Sequence, residues 1–259
     1  VQEGFLPWEK QDVQKIRSPK AWLSRVVHNI CLDELKSARN KRETYIGPDL
    51  PEPLMAETSS SPEESLELAE SLSMALLVVL NRLSPIQRAV FLLHEVFEYD
   101  YASISSIVDR SESNCRKIAQ RARDIVREEK PVFEKDITRR NRLVQKFMEA
   151  VRDGDMPEIE RLLAEDAIMY TDGGGKVAAA LKPVQGAAKI AKFMVGVQKK
   201  TGGDYRATFK EINGEPGLIL WMDNHFYGVW SFHIEGDRIK SLYSVSNPDK
   251  LEHIKSTLH

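Results

Sequence analysis

Apolar residues recur at helical spacing through the first half of the chain. Between about Pro19 and Ala38, the positions Trp22, Leu23, Val26, Val27 and Ile30 share one side of a helical projection, while Arg25, Asn29, Lys36 and Arg39 point elsewhere. This predicts an amphipathic helix with a basic outer face. Leu66, Ala69, Leu72, Leu76, Leu80 and Leu83 predict a helix from Pro62 to Leu83. Ile86, Ala89, Val90, Leu93 and Val96 predict another from Pro85 to Phe97. Each of the three begins at a Ser-Pro pair (Ser18, Ser61 and Ser84), where the serine oxygen can accept from a free backbone N–H and proline suits the first helical position. Glu64 and Gln87, three residues after their serines, complete capping boxes. Asp100 to Val108 and Ser113 to Glu128 then predict a short and a longer helix around the polar turn Asp109 to Glu112, a helix-turn-helix pattern.

The pattern changes class after Lys130-Pro131. Thr138 to Val151 and Pro157 to Leu163 predict two helices, Ala167 to Tyr170 a strand, Asp172 to Lys176 a turn, and Gly186 to Val197 a further helix. Alternating runs at Tyr205 to Ile212, Leu218 to Met222, Phe226 to Ile234 and Ile239 to Val245 predict strands, the last two joined at Gly236-Asp237. Helices against a curved antiparallel sheet make an α+β roll. A last helix starts at Asn247-Pro248-Asp249. Between the first two helices, prolines 48, 51 and 53 forbid regular structure, and the apolar residues among them predict a linker that docks on something.

At 259 residues, against roughly 100 to 200 per domain, the chain holds more than one unit. Its net charge of -2 hides segregation. Basic residues cluster between Arg17 and Arg42 and again between Arg110 and Arg127, whereas Asp49 to Glu70 carries only acids. A polyanionic partner is therefore compatible with the acidic sum. The apolar run Met74 to Leu80 is far too short to span a bilayer, so no membrane association is expected. Cys31 and Cys115 are isolated, without disulfide or zinc spacing, which suits a cytoplasmic protein with no metal or cofactor.

In the second helix of the helix-turn-helix, Cys115, Ile118, Ala119 and Ala122 face inward. Ser113, Asn114, Arg116, Lys117, Gln120 and Arg121 face outward. Such a face can pair with phosphates and base edges in a DNA groove; the same spacing also suits a solvated basic helix in a bundle.

Residues Ala21 to Lys36, followed by Arg39, have the order proline, aromatic, then Asn-x-x-x-Asp-x-x-Lys. They resemble the promoter-melting and minus-ten-reading segment of extracytoplasmic function sigma factors. Leu83 to Phe91 and Ala119 to Arg123 similarly resemble that family's minus-thirty-five-binding domain. The resemblance extends to a subgroup with a fused C-terminal SnoaL-like domain of the NTF2-like type. It is carried by Gly47 to Pro53, Asp172 to Lys176 (Asp-Gly-Gly-Gly-Lys) and Asn247 to Leu251 (Asn-Pro-Asp-Lys-Leu). Asp49 stands where the subgroup has tryptophan, a departure expected to weaken linker docking.

The resemblance implies a multidomain protein: all-α sigma domains 2 and 4 plus an α+β NTF2-like roll. The expected boundaries are 1–44 for a partial region 2 whose first helices are missing from the sequence, 45–61 for a linker, 62–130 for region 4 and 131–259 for the roll. It implies core RNA polymerase and promoter DNA as partners. Asn29, Asp33, Lys36 and Arg39 would approach the minus-ten element, the outward residues from Ser113 to Arg121 the minus-thirty-five element, and Gln2, Glu3 and Phe5 the polymerase clamp. Pro51, Glu52, Pro53, Asp172, Lys176, Asn247, Asp249 and Lys250 would make regulatory interdomain contacts. Trp22 reads as core or as support for melting.

SnoaL-like relatives include isomerases and cyclases, so the roll is also a candidate for chemistry or for holding a small molecule. Alternation along Phe226 to Ile234 places Phe226, Gly228, Trp230, Phe232 and Ile234 on one face. His225, Tyr227, Ser231 and His233 fall on the other with Val229. Both histidines then point away from the roll's cavity, leaving Tyr170 and Asp172 as candidates, the latter more often a turn former. No catalytic residue is assigned. The competing readings are an independent helix-turn-helix regulator with a small-molecule-binding roll, and a SnoaL-like isomerase or cyclase.

Overall fold

The computed structural model describes residues 19, 22–27, 29–31, 33, 45–55, 73–129, 136–201 and 205–257. Internal contacts divide the chain into two units, Val1–Thr44 with Val79–Lys130, and Tyr45–Val78 with Pro131–His259. The segment between the two predicted sigma regions thus groups with the C-terminal half.

In the first unit, the described residues from 19 to 33 are helical. Helix α1 (Met74–Arg82), whose residues up to Val78 group with the second unit, starts at Met74 because Ser73 is non-helical and its hydroxyl accepts from Leu76 N at 3.2 Å. This buried serine caps the first turn of α1 and breaks the helix expected from Pro62 to Leu83 at residue 73; residues 56–72 lie outside the described residues. Helix α2 (Pro85–Phe91) carries the full Ser84–Gln87 capping box. The expected continuation to Phe97 is a π turn, Leu92–Val96, closed by Phe97 N on Leu92 O at 3.0 Å. The extra residue it accommodates puts His94 against Tyr101, with ring centroids 4.3 Å apart.

Asp100 caps α3 (Tyr101–Val108), and Asp109 ends it in the left-handed region before α4 (Glu112–Glu129). Val90, Ile104, Ile107, Val108, Cys115 and Ala119 form the core of this helix-turn-helix.

In the second unit, helices α5 (Ile137–Asp153) and α6 (Met156–Leu162) precede β1 (Leu163–Asp172) and a short β2 (Val184–Gln185) that the periodicity does not announce. Helix α7 (Ala187–Thr201), strands β3 (Tyr205–Ile212), β4 (Glu215–Met222), β5 (His225–Glu235) and β6 (Arg238–Val245), and helix α8 (Pro248–Thr257) follow. The sheet order is β2-β1-β6-β5-β4-β3, antiparallel except for the parallel β1–β6 pair. This is the α+β roll.

Both faces of the sheet are covered. On one, Phe147, Ile159, Ile190 and Met194 of the helices meet Leu218, Leu220, Phe232 and Leu242. On the other, Leu50 of the linker, Met74 and Ala75 of α1, and Leu251 and Ile254 of α8 cover Ile212, Val229, Tyr243 and Val245. The predicted alternation of β5 fails at its start. Leu220 pairs with Gly228 but Trp221 with Phe226, so a bulge exchanges the two aromatics. Phe226 packs on the linker side and Tyr227 on the helix side. Gly228 is required there, because a Cβ would lie 2.6 Å from Val245 O.

Arg140 of α5 and Glu215 at the head of β4 form an ion pair at 3.3 Å with both side chains 5% exposed. Burial pushes the Glu215 carboxyl up to about 7, against the lowering effect of Arg140. Above about pH 7, where Glu215 is ionised, Arg140→Met removes the partner of a buried charge and is expected to cost about 3 kcal/mol in denaturant unfolding. Because the folded pKa is raised, the contribution of Glu215 is fully present below about 4.5 and lost as pH rises through about 7. Glu215→Gln, which keeps an acceptor for Arg140, should flatten the stability profile across that window.

Candidate functional site

Two groups of predicted residues come together, one on α4 and one around the end of β1. On α4, Ser113, Asn114, Arg116, Lys117, Gln120 and Arg121 are all exposed, while Cys115, Ala119 and Ala122 are fully buried. Burial also pushes the Cys115 thiol up, so it acts as a small core residue. Ser111 at the head of α4 accepts from Asn114 N at 3.3 Å.

The outward face divides by its contacts. Arg116 pairs with Glu112 at 3.2 Å and lies 4.6 Å from the Tyr101 ring centroid. Gln120 donates to Asp124 at 2.8 Å. Lys117 and Arg121 make no ion pair among the described residues, so their charges face solvent. Arg123, outside the predicted set, is bound to Glu95 at 2.9 Å and to Tyr101 Oη at 2.6 Å, locking α4 to the π turn and α3. Asn29 and Asp33 are exposed on their helix. Lys36, Arg39, Gln2, Glu3 and Phe5 lie outside the described residues.

The second group is centred on Asp172, which is fully buried. One carboxylate oxygen accepts from Tyr45 Oη at 2.5 Å and Gly174 N at 3.0 Å; the other accepts from Leu50 N at 3.0 Å and Lys250 Nζ at 2.8 Å. Its backbone oxygen accepts from Ser246 N at 2.8 Å and Asn247 N at 3.0 Å. Turn, linker and final helix therefore meet on one aspartate. Gly174 is left-handed, with φ of 59°, and a Cβ there would run into the Asn247 amide. Two constraints thus explain a glycine in that turn.

Lys250 is 14% exposed and also donates to Asp49 and to Leu50 O, each at 2.5 Å. Asp49, the departure expected to weaken docking, thus gives the lysine a second carboxylate. Burial works against the Lys250 ammonium, but the hydrogen bonds to Asp172 and Asp49 outweigh it and raise its pKa. Lys176 pairs with Asp249 at 2.6 Å, and Asn247 donates to Tyr45 Oη at 2.9 Å. Pro53 contributes its carbonyl, 2.8 Å from His253 Nε2; Glu52 is exposed and Pro51 half-buried. Beyond them, Leu54 N donates to Asn213 Oδ1 and Met55 bridges to Ile212, so the linker extends the sheet edge.

Sequence reasoning missed Tyr45, Asn213 and His253. Only Tyr45 has a sequence signal, an aromatic at the head of the proline-rich segment.

A cavity of about 290 Å³ opens between α5, α7 and the sheet. Neither histidine of β5 lines it, and neither do Tyr170 and Asp172, which the sequence left as candidates. Tyr170 stacks on Tyr243 at 5.5 Å on the opposite face. Among the described residues no group of three or more side chains could hold a metal, and no helix is long and apolar enough to cross a membrane.

A profile of sigma-70 region 4 matches residues 73–125. Mycobacterium tuberculosis (strain ATCC 25618 / H37Rv) ECF RNA polymerase sigma factor SigJ is 32% identical over 96% of this chain and 83% of its own length. The chain belongs to the extracytoplasmic function sigma factors. The family's probable ECF RNA polymerase sigma factor SigI from Mycobacterium tuberculosis (strain CDC 1551 / Oshkosh) is 26% identical over the whole chain and 87% of that protein. The crystal structure of Mycobacterium tuberculosis SigJ superposes with a TM-score of 0.75 at 30% identity, covering 97% of this chain and 88% of that one. This sigma factor therefore shares with it the fused architecture, region 4 and roll together.

Burial, and then the hydrogen bond to Asp172, push the Tyr45 hydroxyl up to about 12. A raised pKa means that docking of the linker is fully supported below the ordinary value of 10.0 and weakens as pH rises through about 12. Ultraviolet difference titration should show a late-ionising tyrosine that is lost in Tyr45→Phe.

Proposed function

We propose that this sigma factor directs core RNA polymerase to promoters and that its roll acts on that task in cis through the linker. The observation that carries the reading is the exposed polar face of α4, within a region-4 match and a family whose members are RNA polymerase sigma factors. Lys117 and Arg121 supply phosphate contacts or guanine pairing. Asn114 and Gln120 suit adenine edges, and Ser113 and Arg116 flank them. Asn29, Asp33, Lys36 and Arg39 approach the minus-ten element, and Gln2, Glu3 and Phe5 grip the polymerase. The chemistry belongs to the core enzyme; this chain supplies sequence choice and strand opening.

The cis contribution follows from Asp172. Residues 45–55 lie between the two DNA-reading regions in sequence, and holding them on the roll shortens the stretch of chain left to connect those regions. Pro51, Glu52, Pro53, Lys176, Asn247, Asp249 and Lys250 take part in or border that hold. A small molecule in the roll is a further partner on this reading, with the cavity as its place.

Run-off transcription with core polymerase tests the proposal. Promoter-specific transcripts are expected, and Asp172→Asn combined with Lys176→Ala should change their yield several-fold. DNA binding without any polymerase-dependent transcript would instead make the chain an independent regulator. Unchanged yield in the double variant would remove the roll from the mechanism. Lys117→Ala and Arg121→Ala should each reduce the salt dependence of promoter binding by about one phosphate's worth, roughly 0.9 in the log–log slope.

A further inference from the structure

We propose that the roll cavity is a receptor site for a neutral, largely apolar carbonyl compound, and that its occupancy tightens the hold of Asp172 on the linker. This rests on the reading that a small molecule enters the roll, and it adds the ligand's chemistry and its consequence. The inner wall is apolar, built from Met148, Met169, Phe193, Leu220 and Trp230. Its charged lining residues, Glu149 and Arg152, are exposed, and both already have partners: Glu149 accepts from Gln145 at 3.1 Å and Arg152 donates to Asp153 at 2.9 Å. A charged ligand would lose its hydration against that wall without gaining a buried counter-ion. Thioether and aromatic walls accommodate flat or flexible apolar bodies.

The polar handle follows from counting the protons of the threonine and serine hydroxyls at the β1–β6 end of the cavity. Thr171 Oγ1 is used twice, donating to Ala180 O at 3.1 Å and accepting from Ala180 N at 2.8 Å. Ser246 Oγ donates to Asp172 O at 3.3 Å. Ser244 Oγ accepts from Trp230 Nε1 at 2.9 Å, and its own hydrogen has no acceptor among the described residues. A buried hydroxyl that already accepts and still has a proton to give calls for an acceptor, which a ligand carbonyl provides.

The coupling lies in the sheet register. Ser244 pairs with Thr171, and the next pair along is Val245 with Asp172. Thr171, Ser244 and Ser246 line the cavity, while Asp172 and Ser246 are also joined in the hold on the linker. A ligand bonded to Ser244 orders the β1–β6 end from which Asp172 reaches Tyr45, Leu50 and Lys250, and ordering one site favours the other.

The test uses the whole chain, without polymerase, and three probes: acetylnaphthalene, ethylnaphthalene and naphthoate. Binding is followed by tryptophan fluorescence, and the linker by hydrogen-exchange mass spectrometry of residues 45–55. Acetylnaphthalene should bind about fivefold tighter than ethylnaphthalene, the worth of one hydrogen bond, and Ser244→Ala should erase the difference. Ala207→Trp, at a solvent-exposed lining position, should block both probes without disturbing the core. Bound acetylnaphthalene should slow linker exchange at least about fivefold, within the ordinary range of coupling between sites. Failure of acetylnaphthalene to bind, or equal binding of naphthoate, would overturn the assigned chemistry. Binding with unchanged linker exchange would overturn the coupling while leaving a small molecule in the roll, and the run-off assay judges the sigma-factor reading separately.

Discussion

One buried carboxylate organises the C-terminal unit. Asp172 accepts four hydrogen bonds at its side chain, from Tyr45, Gly174, Leu50 and Lys250, so the cost of withdrawing its charge from water is met on every side. Three of those donors come from segments far away in sequence, and the fourth shapes the glycine turn. A protein can leave a charge fully buried only where the surroundings are fixed in advance. The turn, the linker and the start of α8 therefore have to be ordered together or not at all. That interdependence makes the contact specific: a linker of merely apolar character could slide over the sheet, whereas one that must deliver the Leu50 amide and the Tyr45 hydroxyl to two oxygens cannot.

The sheet gives this contact its setting. The parallel pairing of β1 with β6 brings Asp172 beside Val245 and the chain that turns into α8, so the turn motif and the final motif, distant in sequence, share a few ångströms of space. The same sheet separates two tasks by face. Helices α5 and α7 enclose the cavity on one side, and linker, α8 and the first turns of α1 cover the other. Strand alternation then lets neighbouring residues of β1 and β6 face cavity and linker in turn. In the helix-turn-helix unit the roles divide differently: Arg123 and Tyr101 hold α4 in place, while Lys117 and Arg121 are exposed and make no ion pair among the described residues.

Much of this was legible in the residues. Helix starts marked by caps, such as Ser84 with Gln87, are local chemistry and came through directly, as did the division of α4 into buried Cys115, Ala119 and Ala122 and an exposed polar face. The motifs at Gly47, Asp172 and Asn247 pointed to the right parts of the roll. What periodicity could not show were the places where one residue breaks phase: the non-helical Ser73, the π turn at Leu92 and the bulge that exchanges Phe226 and Tyr227. Asp172 does shape its turn through Gly174 N, but its other three partners lie outside any local window. Asp49 looked like a defect for the same reason, since its lysine is about 200 residues away in the chain. Asn213 and His253 join the linker through backbone groups of Leu54 and Pro53, contacts that leave no trace in residue type.

The central claim is that Asp172 and Lys250 act as one unit in holding the linker to the roll, and a double-mutant cycle on the intact protein measures it directly. Asp172→Asn, Lys250→Met and the pair would be compared by denaturant unfolding. Coupling of about 2 kcal/mol or more is predicted, with the double variant losing little beyond either single one. Additive losses, with coupling under about 0.5 kcal/mol, would contradict the account.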